Sequence, residues 1–443
     1  MLDNRLTPRS EKLSDFAARM ELAQNDSSPG WLQDLRFSAA EVIKEKGFPH
    51  AKLENWEFSQ VRKVLADTYD GAEVSYSKDQ IRQVLEKPLA RAGFPSLVFV
   101  NGVLEPELSD AKGLPEGISL IPFSELDQYP DVYDWIRKSF SLEGGGEAFK
   151  GLNFILTRDP AVLYAANGMK VKQEIQLLFI SAGSAIDRSI FNPGTFIFAG
   201  EDSEVTVVET HLGLDEGKYL SNACTMIAAG NRSLVRHVKV IAENSQGFHL
   251  GKIRVDMEQG TSLKTHTIVR FGSFVRNEVE TLLNGDGANA ELYGLYLAED
   301  TQHVENSTCI EHRKPGCVSR EHYKGILNDK SRAVFRGRIV VAEGAQKTDS
   351  KQNNNNLLLS GDARINSKPQ LEIYADDVSC THGATVGQLE EEKIFYLQSR
   401  GISRNEANAL LIRAFGNEII SRIDSEPLRL ILEEEILSAV TIK

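Results

Sequence analysis

Apolar positions at helical spacing mark the two ends of this chain, whereas its middle is built of short runs that alternate with a period of two. Between Ser28-Pro29-Gly30 and the stop signals Gly47 and Pro49, the residues Leu32, Leu35, Ala39, Val42 and Ile43 recur three or four apart. That spacing predicts a helix over Trp31 to Lys46. Ser77-Lys78-Asp79-Gln80 has the form of a capping box and starts a second helix at Ile81-Arg82-Gln83-Val84-Leu85. Ser96-Leu97-Val98-Phe99-Val100 followed by Asn101-Gly102 predicts a strand entering a tight turn. Leu142-Glu143-Gly144-Gly145-Gly146 reads as a linker.

From Val162 to Leu389 no helical pattern persists. Ile253-Arg254-Val255-Asp256-Met257-Glu258 alternates strictly, as a strand with one buried face does. Small residues recur at Ser203, Ser233, Ser262 and Ala290, with spacings of 30, 29 and 28. A period of that length belongs to stacked units that bury their apolar faces only against one another. The series breaks after Ala290, the next comparable step being Ala333-Val334. Many short strands also suit an antiparallel sandwich, so pattern alone leaves both architectures open.

Helical spacing returns at the C-terminus. Glu390 to Arg400 carries Ile394, Phe395 and Leu397 and stops at Gly401; Ser403-Arg404-Asn405-Glu406 caps a run with Leu410, Leu411, Ala414 and Phe415; Asp424-Ser425-Glu426-Pro427 opens a third helix. Their apolar stripes either cap the end of the β-rich core or meet a partner. The organisation expected is a mostly helical domain over 1–150, a β-rich core over 151–389 and a helical domain over 390–443.

Composition narrows the function classes. The 443 residues are 41 % hydrophobic and 26 % charged, close to the globular average, and carry a net charge of −13. Such a field opposes nucleic acid and anionic lipid. Four scattered cysteines without a CxxC pair fit a reducing compartment. The charged N-terminus lacks the apolar core of a signal peptide, and no segment has the length of uncharged apolar residues that a bilayer requires. A cytoplasmic protein without nucleic-acid or membrane partners is expected.

Two motif lookalikes fail on spacing or context. Gly213 to Tyr219 has too few residues between its glycines for a phosphate loop, and Gly285 to Ala290 runs into a strand where a dinucleotide fingerprint needs a helix. No nucleophile elbow and no His-Glu-x-x-His motif is present. Histidine is more informative: His266, His303, His312, His322 and His382 share one stretch with three cysteines. Glu311-His312 and Glu321-His322 stand ten apart and either form paired carboxylate–imidazole sites on adjacent strands or, the reading their polarity favours, are exposed polar residues on solenoid strands. Cys380-Thr381-His382 puts a thiol and an imidazole on one strand face. Two ligands fall short of the four that close a structural zinc site, so the pair is either part of a shared or transient metal site or a structural Cys and His. Gln352-Asn353-Asn354-Asn355-Asn356 reads as an Asn-lined solenoid turn.

Four segments together carry a family resemblance: Lys347 to Ser360, Leu371 to Val378, Cys380-Thr381-His382-Gly383-Ala384-Thr385-Val386-Gly387, and Phe395 to Ile402. They resemble the C-terminal signature of the SufB/SufD family of iron–sulfur cluster assembly proteins. Glu54-Asn55-Trp56-Glu57-Phe58 is similar to an N-terminal motif of that family, and Gln302-His303-Val304-Glu305-Asn306 to a central one. The SufD branch fits better, because SufB-like chains carry a cysteine where this chain has Asn353 to Asn356 and a Glu-containing variant of the Cys-x-His-Gly-Ala-Thr motif.

The resemblance implies a mainly β fold, a right-handed parallel β-helix between N-terminal and C-terminal helical regions. It implies a non-catalytic scaffold that pairs with a SufB-like paralogue through the β-helix ends and binds a SufC-like ABC-type ATPase through its C-terminal helices, where Phe395, Leu397, Leu410, Leu411 and Phe415 are the candidate contacts. A homodimer is implied as a possible state of the isolated chain. No cofactor is expected to be tightly bound in the isolated chain; iron or a nascent iron–sulfur cluster is expected transiently at the interface, with His382 the leading ligand and Cys380 the second. The competing readings are a carbohydrate-active β-helix enzyme using Arg320, Arg332, Arg336, Arg338, Glu321 and Asp329 along a groove, and a purely structural scaffold in which His382 is a core residue.

Overall fold

The computed structural model describes residues 12–13, 30–70, 76–139, 147–184, 188–214 and 217–437. The expected linker, Leu142 to Gly146, lies outside them.

Ten-residue segments that alternate inward and outward build two facing sheets, of eleven and ten strands among the described residues. Successive strands of the solenoid alternate between the sheets, and each pairs in parallel with the strand two positions away in sequence. The chain therefore coils as a parallel β-solenoid flanked by N-terminal and C-terminal helices. The lumen holds one continuous apolar core, including Val207, Ile241, Ile253, Leu292, Tyr296, Phe335 and Ile339.

The repeat does not break after Ala290. Glu204, Leu234, Ser262, Asn289, Val318 and Asp349 stand side by side in the ten-stranded sheet, between 27 and 31 residues apart. Before them runs a column of small buried residues, Ser203, Ser233, Thr261, Ala288, Cys317 and Thr348. Ala333, the apparent next step in sequence, lies in the other sheet, on Arg332–Val341.

The N-terminal end of the solenoid is closed by antiparallel strands. Ser96–Val100 extends the ten-stranded sheet and turns at Asn101 and Gly102, both at positive φ, into Val103–Leu104; Ile118–Leu120 runs antiparallel against Ala161–Ala165 in the other sheet. Helices Gly30–Lys46 and Ala148–Leu156, the latter spanning the expected boundary near 150, pack on the outer face of the eleven-stranded sheet with Leu220, Phe248 and Phe274. Ser77 and Ser403 both form the capping boxes read from sequence, and Gly401 ends its helix at φ +87°.

The C-terminal helices do not cap the solenoid end. Arg404–Ile420 and Glu426–Leu432 lie on the outer face of the ten-stranded sheet, where Ile412, Ile419, Leu428 and Leu432 pack with Leu295, Leu297 and Ile326. Lys324 of the sheet pairs with Glu418, and Asp424 takes hydrogen bonds from Lys264 (2.9 Å) and Arg236 (2.7 Å). Among the described residues no helix is long and apolar enough to cross a membrane.

Candidate functional site

At the C-terminal end the last strands, Arg364–Ile373 and Val378–Gly387, each pair with one neighbour, so each leaves an edge of backbone donors and acceptors without a strand partner among the described residues. Ile373, Tyr374 and Val386 are exposed around this mouth, Tyr374 by 63 % and Val386 by 54 %. Unpaired polar backbone beside exposed apolar side chains is what a strand-pairing partner covers.

Cys380 and His382 stand on this edge. Alternation places both on the lumen side: Cys380 is half-buried against the interior core and His382, two residues on, is exposed at the mouth. His382 is therefore not a core residue. Burial pushes the Cys380 thiol above its ordinary pKa, the backbone hydrogen bond at Ser350 pulling the other way. It is protonated at neutral pH, and a metal binding it would first have to displace that proton.

Two ladders of inward polar side chains lead to these residues. Ser319, Ser350 and Cys380 stand in register, with 2.7 Å between the two serine hydroxyls, and His312 Nε2 lies 2.9 Å from Ser319 Oγ. Glu321, Gln352 and His382 form the second, in which Gln352 Nε2 donates to Glu321 Oε2 at 2.7 Å. Gly337 on the facing sheet makes room for this amide, since a Cβ there would overlap it. Deeper in the mouth, Asn354 Nδ2 donates to the Tyr296 hydroxyl (3.1 Å) and Asn356 Nδ2 to Asn354 Oδ1 (2.8 Å). The Asn run is thus part of strand Thr348–Leu358 and not a turn, with Asn354 and Asn356 inward and buried. Gln352 went unread as a site residue, because the run from Lys347 to Asn356 is polar throughout and its inward–outward alternation shows only in the burial of the folded strand.

The paired carboxylate–imidazole sites do not form. His303–His312 and Val318–Leu327 belong to different sheets, and within each Glu-His pair one residue faces the lumen and the other the outside. Glu311 binds Arg313 outside, His312 points in, Glu321 is buried inside, and His322 lies outside by Asn355 (3.1 Å). Nor do the arginines line a groove with Glu321: Arg320 pairs with Asp349 on the ten-stranded sheet, Arg332, Arg336 and Arg338 belong to the eleven-stranded one, and Glu321 is in the lumen.

The N-terminal and central motifs meet. Trp56 is buried on the Arg276 guanidinium, 3.8 Å from the ring centre, and Arg276 donates to Asn55 O at 2.9 Å. Glu305 accepts from the Gln60 backbone (3.0 Å) and from Arg276 (2.6 Å), with His303 Nε2 at 2.9 Å. Burial opposes its charge, but the His303 hydrogen bond and the charge of Arg276 outweigh it and hold the carboxyl down at about 2. Glu54 binds Lys368 (3.0 Å) and Gln370 (3.2 Å), on the edge strand itself.

Of the candidate helix contacts, Phe395 and Leu410 are exposed, by 72 % and 47 %, and Leu397 and Leu411 half-buried. Phe415 packs against the sheet, with Lys324 Nζ 4.2 Å from its ring centre.

These features define a class: a parallel β-solenoid closed at one end and open at the other, with a thiol and an imidazole at its mouth and apolar helices on its flank. Comparison with known proteins places it more closely. The sequence model described as "SUF system FeS cluster assembly, SufBD core domain" matches residues 179–415, and that of the SufBD protein N-terminal region matches 9–177. The chain belongs to the SufBD family of iron–sulfur cluster assembly proteins. It is 32 % identical to the iron–sulfur cluster assembly protein SufD of Escherichia coli over 384 residues, covering 86 % of this chain and 87 % of that one. A SufBD family protein of Synechocystis is 27 % identical over 88 % of this chain and 87 % of its own, and the chloroplastic protein ABCI7 of Arabidopsis thaliana 28 % identical over 92 % and 86 %.

Proposed function

We propose that this chain is a non-catalytic scaffold subunit of a SUF-type assembly complex in the cytoplasm. Its open solenoid end pairs with a SufB-like paralogue, its C-terminal helices bind a SufC-like ABC-type ATPase, and iron and sulfide assemble as cargo at the solenoid junction. The observation that carries this reading is the unpaired terminal edge bearing Cys380 and His382 on its lumen side. Two ligands leave a metal's coordination sphere incomplete, and an incomplete set on a bare edge is completed from the surface that covers it. With the paralogue absent, the same edge is available to a second copy of this chain.

His382 acts as a neutral imidazole ligand for incoming Fe(II), and Cys380 as a thiolate once the metal displaces its proton. The Glu321–Gln352 ladder positions the strand behind His382. The test is anaerobic iron loading of the complex reconstituted with both partners. His382→Ala is expected to lower iron per complex several-fold while the complex elutes unchanged from gel filtration. Unaltered iron loading in that variant would overturn the ligand role.

A further inference from the structure

Far from the open end, the lumen holds a cluster of buried titratable side chains. Glu209 and His211 project inward from Glu204–Leu214, His237 and Lys239 from Leu234–Ala242, and His249 from Phe248–Met257, with Glu243 just beyond the second of these strands. All six are sealed from solvent, none more than 2 % exposed. Three of them converge: one ligand atom each of His211, Glu243 and His249 lies within 4.8 Å of the others.

The polar accounting inside this cluster does not close. Neither ring nitrogen of His211 has a hydrogen-bond partner, its nearest carboxylate oxygen, of Glu209, being 3.7 Å away; His249 Nε2 and Lys239 Nζ are also unpartnered. Each such buried group is costly when left unsatisfied. Orphaned imidazole nitrogens aimed at a carboxylate are what an electron-pair acceptor satisfies. The Tyr219 hydroxyl donates to Glu243 Oε2 at 2.7 Å, as an outer-shell contact holds a metal ligand, and the His211 ring is positioned by stacking on Phe179 with 4.9 Å between centres. His249 Nδ1 and Glu243 Oε1, 2.9 Å apart, share a hydrogen bond that an ion binding both atoms would replace.

We propose that His211, Glu243 and His249 bind one divalent first-row transition ion inside the solenoid. Two imidazoles and one carboxylate form a donor set suited to Fe(II) or Zn(II), and Co(II) reports on it. This site is independent of the interfacial reading: Leu234–Ala242 is five strands removed from Val378–Gly387 in the same sheet. It also departs from the expectation that the isolated chain holds no tightly bound cofactor. Because the pocket is sealed, the ion enters as the chain folds and then exchanges slowly.

The full-length chain made in cells grown with added Co(II), purified and washed with EDTA, is expected to retain about one ion per chain, with visible ligand-field bands of a nitrogen–oxygen site. His211→Gln is expected to lose that ion, and His382→Ala, at the open end, to keep it. Should His211→Gln fail to fold, Glu243→Gln, which keeps the side chain's shape, carries the same test on protein whose circular dichroism matches the parent. A parent chain that is metal-free after the wash overturns the proposal. So does equal metal content in parent and folded ligand variants.

Discussion

Glu321 places its carboxyl in the lumen, where burial favours the protonated acid and raises its pKa from 4.5 to about 7, against the hydrogen bond from Gln352. The folded chain therefore keeps a proton that the unfolded chain releases above about pH 4.5. This contribution to stability is full below that pH and is lost as pH rises through about 7, a change of about 3 kcal/mol. The other titratable group coupled to it is Tyr323, itself held neutral by burial. Glu321→Gln keeps the shape and removes the titration. Unfolding midpoints of parent and variant are expected to agree near pH 5 and to separate toward pH 8, with the variant the more stable; parallel profiles would contradict a buried proton. The Cys380–His382 pair was legible in the sequence because residues two apart on a strand share a face. The ladder behind it was not, because Glu321, Gln352 and His382 are neighbours only through a register set by turns of unequal length. The same holds for His211 and His249: polar residues at period two read as an outer face unless the opposing sheet is known to cover them.

The helices after Ser77 and Ser403 were legible as elements, because their caps are local: each Ser and its Gln or Glu three residues on satisfy one another within a single turn, whereas Pro130–Ser139 and Ala148–Leu156 went unread. The solenoid was half legible. Its period showed while the turn column held Ser203 and Ser233, and was lost where Cys317 and Thr348, equally buried, replaced residues that look like turns. Invisible to any local pattern was the clasp between the N-terminal and central motifs. Trp56 ends a short helical turn, Glu54–Trp56, and anchors it on Arg276 and the apolar surface around Phe149. Trp56→Ala removes a buried indole and its cation–π contact, a loss of about 3–5 kcal/mol. The clasp is expected to open before the solenoid does, seen as protease cleavage between residues 47 and 60 while the β-sheet signal by circular dichroism persists. A variant as resistant as the parent would show that Glu54 and Glu305 hold this segment without the indole.

At the scale of the molecule, the two surfaces proposed for partners sit on different faces. The open edge with Tyr374 and Val386 closes the long axis of the solenoid, whereas Phe395 and Leu410 belong to helices on and beside the outer face of the ten-stranded sheet. Their geometry makes the two contacts separable. Val386→Lys puts a charge among exposed apolar side chains on an edge strand, the device by which edges are kept from pairing. Since Val386 is already exposed, folding should be little affected. Phe395→Asp removes an exposed aromatic anchor from the helical surface, where such a contact contributes about 2 kcal/mol or more. The expected outcome is a double dissociation in binding assays with purified partners. Val386→Lys weakens binding of the SufB-like paralogue at least about tenfold and leaves the ATPase bound. Phe395→Asp weakens the ATPase by a similar factor and leaves the paralogue bound. A single substitution that removes both partners would mean that the edge and the helices form one continuous interface, and that the ATPase reaches the open end as well as the flank.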